Sequence, residues 1–128
     1  MSNEEYIASF EAETVAANSF HHADHVRLAF AYLAEHSALE ALQKFCVALK
    51  RFASAQGESE RYHETITYAY FFLINERMVK GECTNWEQFA RDNPDLLRRE
   101  DGILNHYYEP LTLDSDLAPR VFVLPDKL

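Results

Sequence analysis

Three histidines carry the chemistry open to this chain. His22 and His25 fall one turn apart at the start of a predicted helix, within Phe20-His21-His22-Ala23-Asp24-His25. His63 stands near the start of another, within Tyr62-His63-Glu64-Thr65-Ile66-Thr67. Imidazole is the commonest side-chain metal ligand and titrates closest to neutrality. Two or three such rings meeting at the ends of two helices would hold one divalent metal, zinc first, or do acid–base work on a small ligand. The first turn of a helix presents unpaired N–H groups and a positive potential, which disfavour imidazolium. His22 and His25 are therefore expected to stay neutral at physiological pH, the form that ligates a metal or takes a proton. Glu60, Glu64 and Asp24 are the candidate oxygen partners, with Asp24 also suited to capping the first turn or orienting a ring. Thr67 shares the side of His63 and completes the expected lining.

Motif by motif, the chemistry is bounded. His22-x-x-His25 has helical ligand spacing, yet that pattern also arises by chance. His63-Glu64-x-x-Thr67 opens like the zincin motif, but Thr replaces the second histidine and removes that mechanism. Glu60-x-x-His63 matches half of a di-iron carboxylate pattern, and the chain has no second copy. The competing interpretation is structural: such histidines bridge helices, each nitrogen satisfied by a carbonyl or by a hydroxyl of Thr65, Thr67, Tyr32, Tyr62 or Tyr68. No Gly-x-Ser-x-Gly elbow, phosphate-cradling glycine loop or CxxC occurs, which disfavours α/β hydrolases, P-loop enzymes and dithiol redox proteins.

Those rings need elements to place them. The chain has 128 residues, with nine Phe, seven Tyr and one Trp to build a core, and its three Gly and four Pro argue against disorder and a turn-rich β protein. Asn3 is expected to cap a first helix that ends before Asn18. A second runs from His22 to His36, its apolar stripe centred on Val26, Ala29 and Leu33. At about 100° per residue His22 falls on that line and His25 within about 60° of it, while Asp24, Arg27, Ala31 and Glu35 face away. Ser37 caps a third helix whose Leu42, Phe45, Leu49 and Phe52 form one stripe and which Gly57 ends. A fourth, from Ser59 to Lys80, is apolar around most of its circumference and is expected to be central, its Ile66, Tyr70 and Leu73 facing the third. Short helices follow from Asn85 and from Pro94 to Glu100, then an irregular C-terminal tail in which Val121 to Pro125 lies extended along the bundle. The fold class is all-α: one domain over residues 1–128, a bundle of about four main helices with short additional ones.

Charge and cysteines limit the partners. Twelve basic against 21 acidic residues leave a net charge of −9, which repels phosphate backbones and anionic lipid, so neither nucleic acid nor membrane is expected. No apolar run suffices to span a bilayer, no secretory leader is visible, and Cys46 and Cys83 make no metal spacing with each other. A cytoplasmic protein with reduced thiols is expected. Homodimerisation is compatible with the aromatic-rich surface without being specified by it.

Phe20-x-His22-x-Asp24-His25-Val26-Arg27-Leu28-Ala29, Tyr62-His63-Glu64-Thr65-Ile66-Thr67 and Phe122-Val123-Leu124-Pro125-Asp126 together resemble a set of small bacterial helical proteins of uncharacterised function. The resemblance covers most of the chain from Phe20 onward. It implies a bacterial cytosolic helical protein and brings no activity, substrate or cofactor with it. The expectation carried into the structure is a buried site formed by His22, His25 and His63.

Overall fold

Helix starts in this chain are set by side chains that satisfy the first-turn N–H groups. In the computed structural model, which describes residues 2–12, 21–98 and 102–127, α1 (Asn3–Glu11) is capped by Ser2 rather than Asn3. Ser2 Oγ accepts the Glu5 N–H at 3.1 Å and Glu5 Oε1 accepts the Ser2 N–H at 2.9 Å, a reciprocal box that Asn3 could not form. At α2 (His22–Glu35), Asp24 Oδ2 accepts the His21 N–H at 2.9 Å. Ser37 caps α3 (Ala38–Ala55), and Gly57, at φ +70°, lets the chain turn after it. A 3₁₀ turn at Ser59–Arg61 leads to α4 (Glu64–Lys80). The shorter α5 (Trp86–Asp92), α6 (Pro94–Leu97) and α7 (Pro110–Leu113) follow, with a 3₁₀ turn at Ile103–His106. The helix opened by Pro94 stops at Leu97 instead of Glu100, because Arg98 is extended. The described residues contain no strand and no helix long and apolar enough to cross a membrane. Asn18 and Glu100 lie outside the described residues.

The central helix is α2, not α4. Every residue from Val26 to Tyr32 is buried, and α2 packs against α1, α3, α4 and α6. The face assigned to solvent by its sequence, with Arg27 and Ala31, is covered by α1 and α5. Arg27, 8% exposed, donates to Asn3 Oδ1 at 2.7 Å and lies over the rings of Tyr6 at 4.8 Å and Trp86 at 5.4 Å. Burial lowers the pKa of its guanidinium, and two aromatic faces stabilise a cation withdrawn from water. Phe30 meets Trp86 and Phe89, and Tyr32 donates to Glu11 Oε2 at 2.7 Å. A charged residue thus passes for a wet-face residue in the periodic pattern while its stem and fork are core.

Helix α4 buries only part of its apolar circumference against other helices. Thr65, Phe71 and Ile74 are buried, with Phe71 stacked on Phe45 of α3 at 5.9 Å, whereas Phe72 is 44% and Val79 71% exposed. On another side the C-terminal tail takes the place of a helix. Phe122 stacks on Tyr68 at 5.6 Å, and the Thr65 hydroxyl donates to the Val121 carbonyl at 2.8 Å while accepting the Val123 N–H at 3.0 Å. The Tyr108 hydroxyl donates to the Val123 carbonyl at 2.6 Å. Asp126 accepts from the Glu109 N–H and the Thr112 hydroxyl, tying down residues 122–127, which have no regular secondary structure.

Candidate functional site

The start of α4 is built around His63, which is the N-cap and not a residue of the helix. The chain leaves the 3₁₀ turn through extended Tyr62 and His63, so the expected helix from Ser59 is broken before the ring. His63 Nδ1 accepts the Ile66 N–H at 3.1 Å, which puts the proton of the neutral ring on Nε2, and Nε2 lies 2.9 Å from the Leu113 carbonyl that receives it. The Glu64 N–H donates to the Pro119 carbonyl at 3.0 Å, the Thr65 N–H to Ala118 at 3.2 Å, and the Thr67 N–H to His63 at 3.0 Å. Every donor of the first turn therefore has an acceptor, and two of those acceptors come from the tail.

At the start of α2 the side chains divide their work differently. Asp24 accepts the N–H of the N-cap residue His21, and it also receives the Tyr6 hydroxyl at 3.3 Å on its carboxylate. His22 Nε2 lies 2.9 Å from the Leu96 carbonyl of α6, and its ring meets Tyr70 of α4 edge-on at 4.9 Å. His25 lies one turn further along, half-buried.

Between the two helix starts is a cleft of about 800 Å³. Phe45, Leu49 and Phe52 of α3, with Ile66 and Ile74 of α4, give it an apolar floor. His21, His22 and His25 line one side, and Arg61, His63, Thr67 and Tyr70 another. His22, His25, His63 and Thr67 are thus brought to one concavity. The three expected oxygen partners are not among its described lining residues: Asp24 is engaged at the cap, Glu60 is exposed on the 3₁₀ turn, and Glu64 Oε1 accepts the Tyr62 hydroxyl at 2.6 Å. The histidines are also partly exposed instead of buried, since they stand at helix starts that open onto the cleft. Among the described residues no group of three or more His, Cys, Asp or Glu side chains is gathered as a metal would require.

Tyr62, on the wall of the cleft, does not serve as a base. Burial raises the pKa of its phenol far above the usual tyrosine value, with hydrogen bonds to Cys46 and Glu64 adding to the shift. Burial likewise raises that of the Cys46 thiol, which withholds the thiolate needed for nucleophilic attack. Lys50 caps this group from outside, its Nζ 5.0 Å from the Tyr62 ring centre. Polar side chains on the lining include, besides the histidines and Thr67, several residues the sequence does not single out: Arg61, Gln56 and Asn105. Arg61 lies two positions before His63, a proximity visible in the sequence. Asn105 and Leu113 arrive from later segments and no local pattern announces them. Comparison of the chain with models of protein families, with curated proteins and with solved structures returns no match.

Proposed function

We propose that this chain is a cytosolic small-molecule-binding protein whose ligand occupies the cleft between the starts of α2 and α4, held by His22, His25 and His63. One observation carries the reading: four of the six histidines line a single apolar-floored concavity. Its volume falls within the roughly 300–1,000 Å³ of typical ligand sites, in which an apolar lining and a few convergent polar groups divide affinity and orientation between them. Imidazole nitrogens at the rim donate or accept hydrogen bonds according to their tautomer. A divalent metal, zinc above all, is the narrower form of the proposal. It is less favoured, because both ring nitrogens of His63 already have partners and a metal bond would have to displace one of them.

A second reading has its own support. His63 and His22 both bond to main-chain carbonyls of other segments, as residues that merely tie helices together do. On that reading the protein is an interaction or regulatory module with no ligand in the cleft. Two measurements separate the readings. Metal content of protein made without a polyhistidine tag, before and after supplementation with zinc, tests the metal. Amide shifts of Val26, Ala53 and Thr67, followed while a fragment library is screened, test the small molecule. Fragments that move these amides together support the cleft as a ligand site, whereas a library that leaves them in place, with no bound metal, favours the interaction module.

A further inference from the structure

The cleft differs in charge from the rest of the molecule, and on the reading of it as a ligand site this difference specifies the ligand. The chain carries a net charge of −9, yet among the described residues lining the cleft Glu58 is the one carboxylate. Glu58 is itself paired with Arg61 at 3.5 Å, and both side chains are largely open to water, so the pair exchanges partners at little expense. Among the described lining residues an ammonium group would find a single carboxylate, already paired with Arg61. An oxyanion would find the Arg61 guanidinium and the donors of Thr67 and Asn105 above an aromatic and aliphatic floor.

We propose that the ligand is an organic monoanion, an oxyanion head on a compact apolar body, with Arg61 and the histidine rim receiving the head and Phe45, Leu49 and Phe52 the body. Charge-assisted hydrogen bonds are about twice as strong as neutral ones, so head-group chemistry should dominate among ligands of the same body.

The test is a matched set of probes on the full chain: 4-phenylbutyrate, 4-phenylbutanol and 4-phenylbutylammonium, titrated by calorimetry and by the Val26 and Thr67 amide shifts. The acid is expected to bind about tenfold more tightly than the alcohol, and the ammonium most weakly of all. Arg61→Gln should bring the acid down to the alcohol and leave the alcohol unchanged. Glu58→Gln should do the opposite, raising acid affinity several-fold by releasing Arg61. Both positions are surface residues of the 3₁₀ region, and an unchanged thermal midpoint verifies the fold of each variant. Equal affinity for acid and alcohol, or tighter binding of the ammonium, would overturn the monoanion while leaving the cleft as a ligand site. Failure of all three probes to bind or move the amides would remove the cleft reading and the monoanion together.

Discussion

The starts of α2 and α4 hold the same ingredients: a histidine, a nearby carboxylate and a first turn of N–H groups. At α4 the ring itself is the cap. His63 accepts from Ile66 through one nitrogen and reaches Leu113 through the other, while the tail receives the Glu64 and Thr65 N–H groups. At α2 the N-cap is His21, whose N–H donates to the Asp24 carboxylate in the first turn, and His22 and His25 line the cleft. His63 is itself the cap, whereas His22 bonds outward to the Leu96 carbonyl of α6. Loss of a ring should therefore cost more stability at the α4 start than at the α2 start.

The strongest perturbation lies under both starts. Phe45→Ala removes a 3%-exposed ring stacked on Phe71, and should lower unfolding free energy by about 3–5 kcal/mol in denaturant titrations. A loss below about 1 kcal/mol, typical of surface sites, would mean that α3 does not support the cleft as described.

Next comes the α4 side alone. Thr65→Val keeps volume but strands the Val121 carbonyl and the Val123 N–H, and should reduce stability by about 2–3 kcal/mol, with faster hydrogen exchange at Val123. If Val123 keeps its protection, the tail is held elsewhere and the contrast between the two starts loses its basis.

A smaller pair of effects sharpens the contrast directly. His63→Ala should cost about 1–2 kcal/mol through the lost cap, partly restored in His63→Asn, which offers another cap acceptor. His25→Ala should change stability by less than about 1 kcal/mol and instead weaken binding of cleft ligands. A His25 variant as unstable as His63→Ala, with ligand binding intact, would reverse the assignment of roles.

Asp95 gives the smallest effect. Arg77 holds its carboxyl below the ordinary 3.8 through a bidentate contact at 2.9 and 3.0 Å, tying α6 to α4 behind the carbonyl that meets His22. A depressed folded pKa means that the pair's stabilisation is complete above 3.8 and lost as pH falls through the lower folded value. Both side chains are 30–41% exposed, so the contribution is at most about 1 kcal/mol. Asp95→Asn should remove that part of the acid slope, seen as a smaller drop in thermal midpoint between neutral and strongly acidic buffer. An unchanged slope would mean that the pair does not anchor α6.

The all-helical class, the Ser37 cap and the α3 stripe were legible because each depends on neighbours within one or two turns. The centrality of α2 was not. Its Arg27 carries a charge that periodicity assigns to solvent, and only the arrival of Tyr6 and Trp86 from other segments makes that position core. The apolar girth of α4 misled in the opposite sense, since Tyr68 is covered by Phe122 of the tail. At the cleft, helical phase places His22 and His25 on an inward line, and both do line it. His63 reached the same place by another route, as a cap outside the helix, because a 3₁₀ turn and two extended residues precede α4. Glu64 is not among the described lining residues, and its carboxylate accepts the hydroxyl of Tyr62 two positions earlier, a contact that depends on the extended backbone between them.

The clasp between α4 and the tail also sets an order of events. His63 and Thr65 meet partners 50, 56 and 58 positions further along the chain. Closing so long a loop carries an entropic cost that local helix contacts do not bear, and distant pairings slow folding. The α2–α3 hairpin, with its short joint at His36 and Ser37, can assemble while the rest of the chain is still unstructured. On the ribosome, α4 emerges with the Glu64 and Thr65 N–H groups unmatched and must await residues 113–123. Until they arrive, the Thr65 hydroxyl lacks its Val121 and Val123 partners.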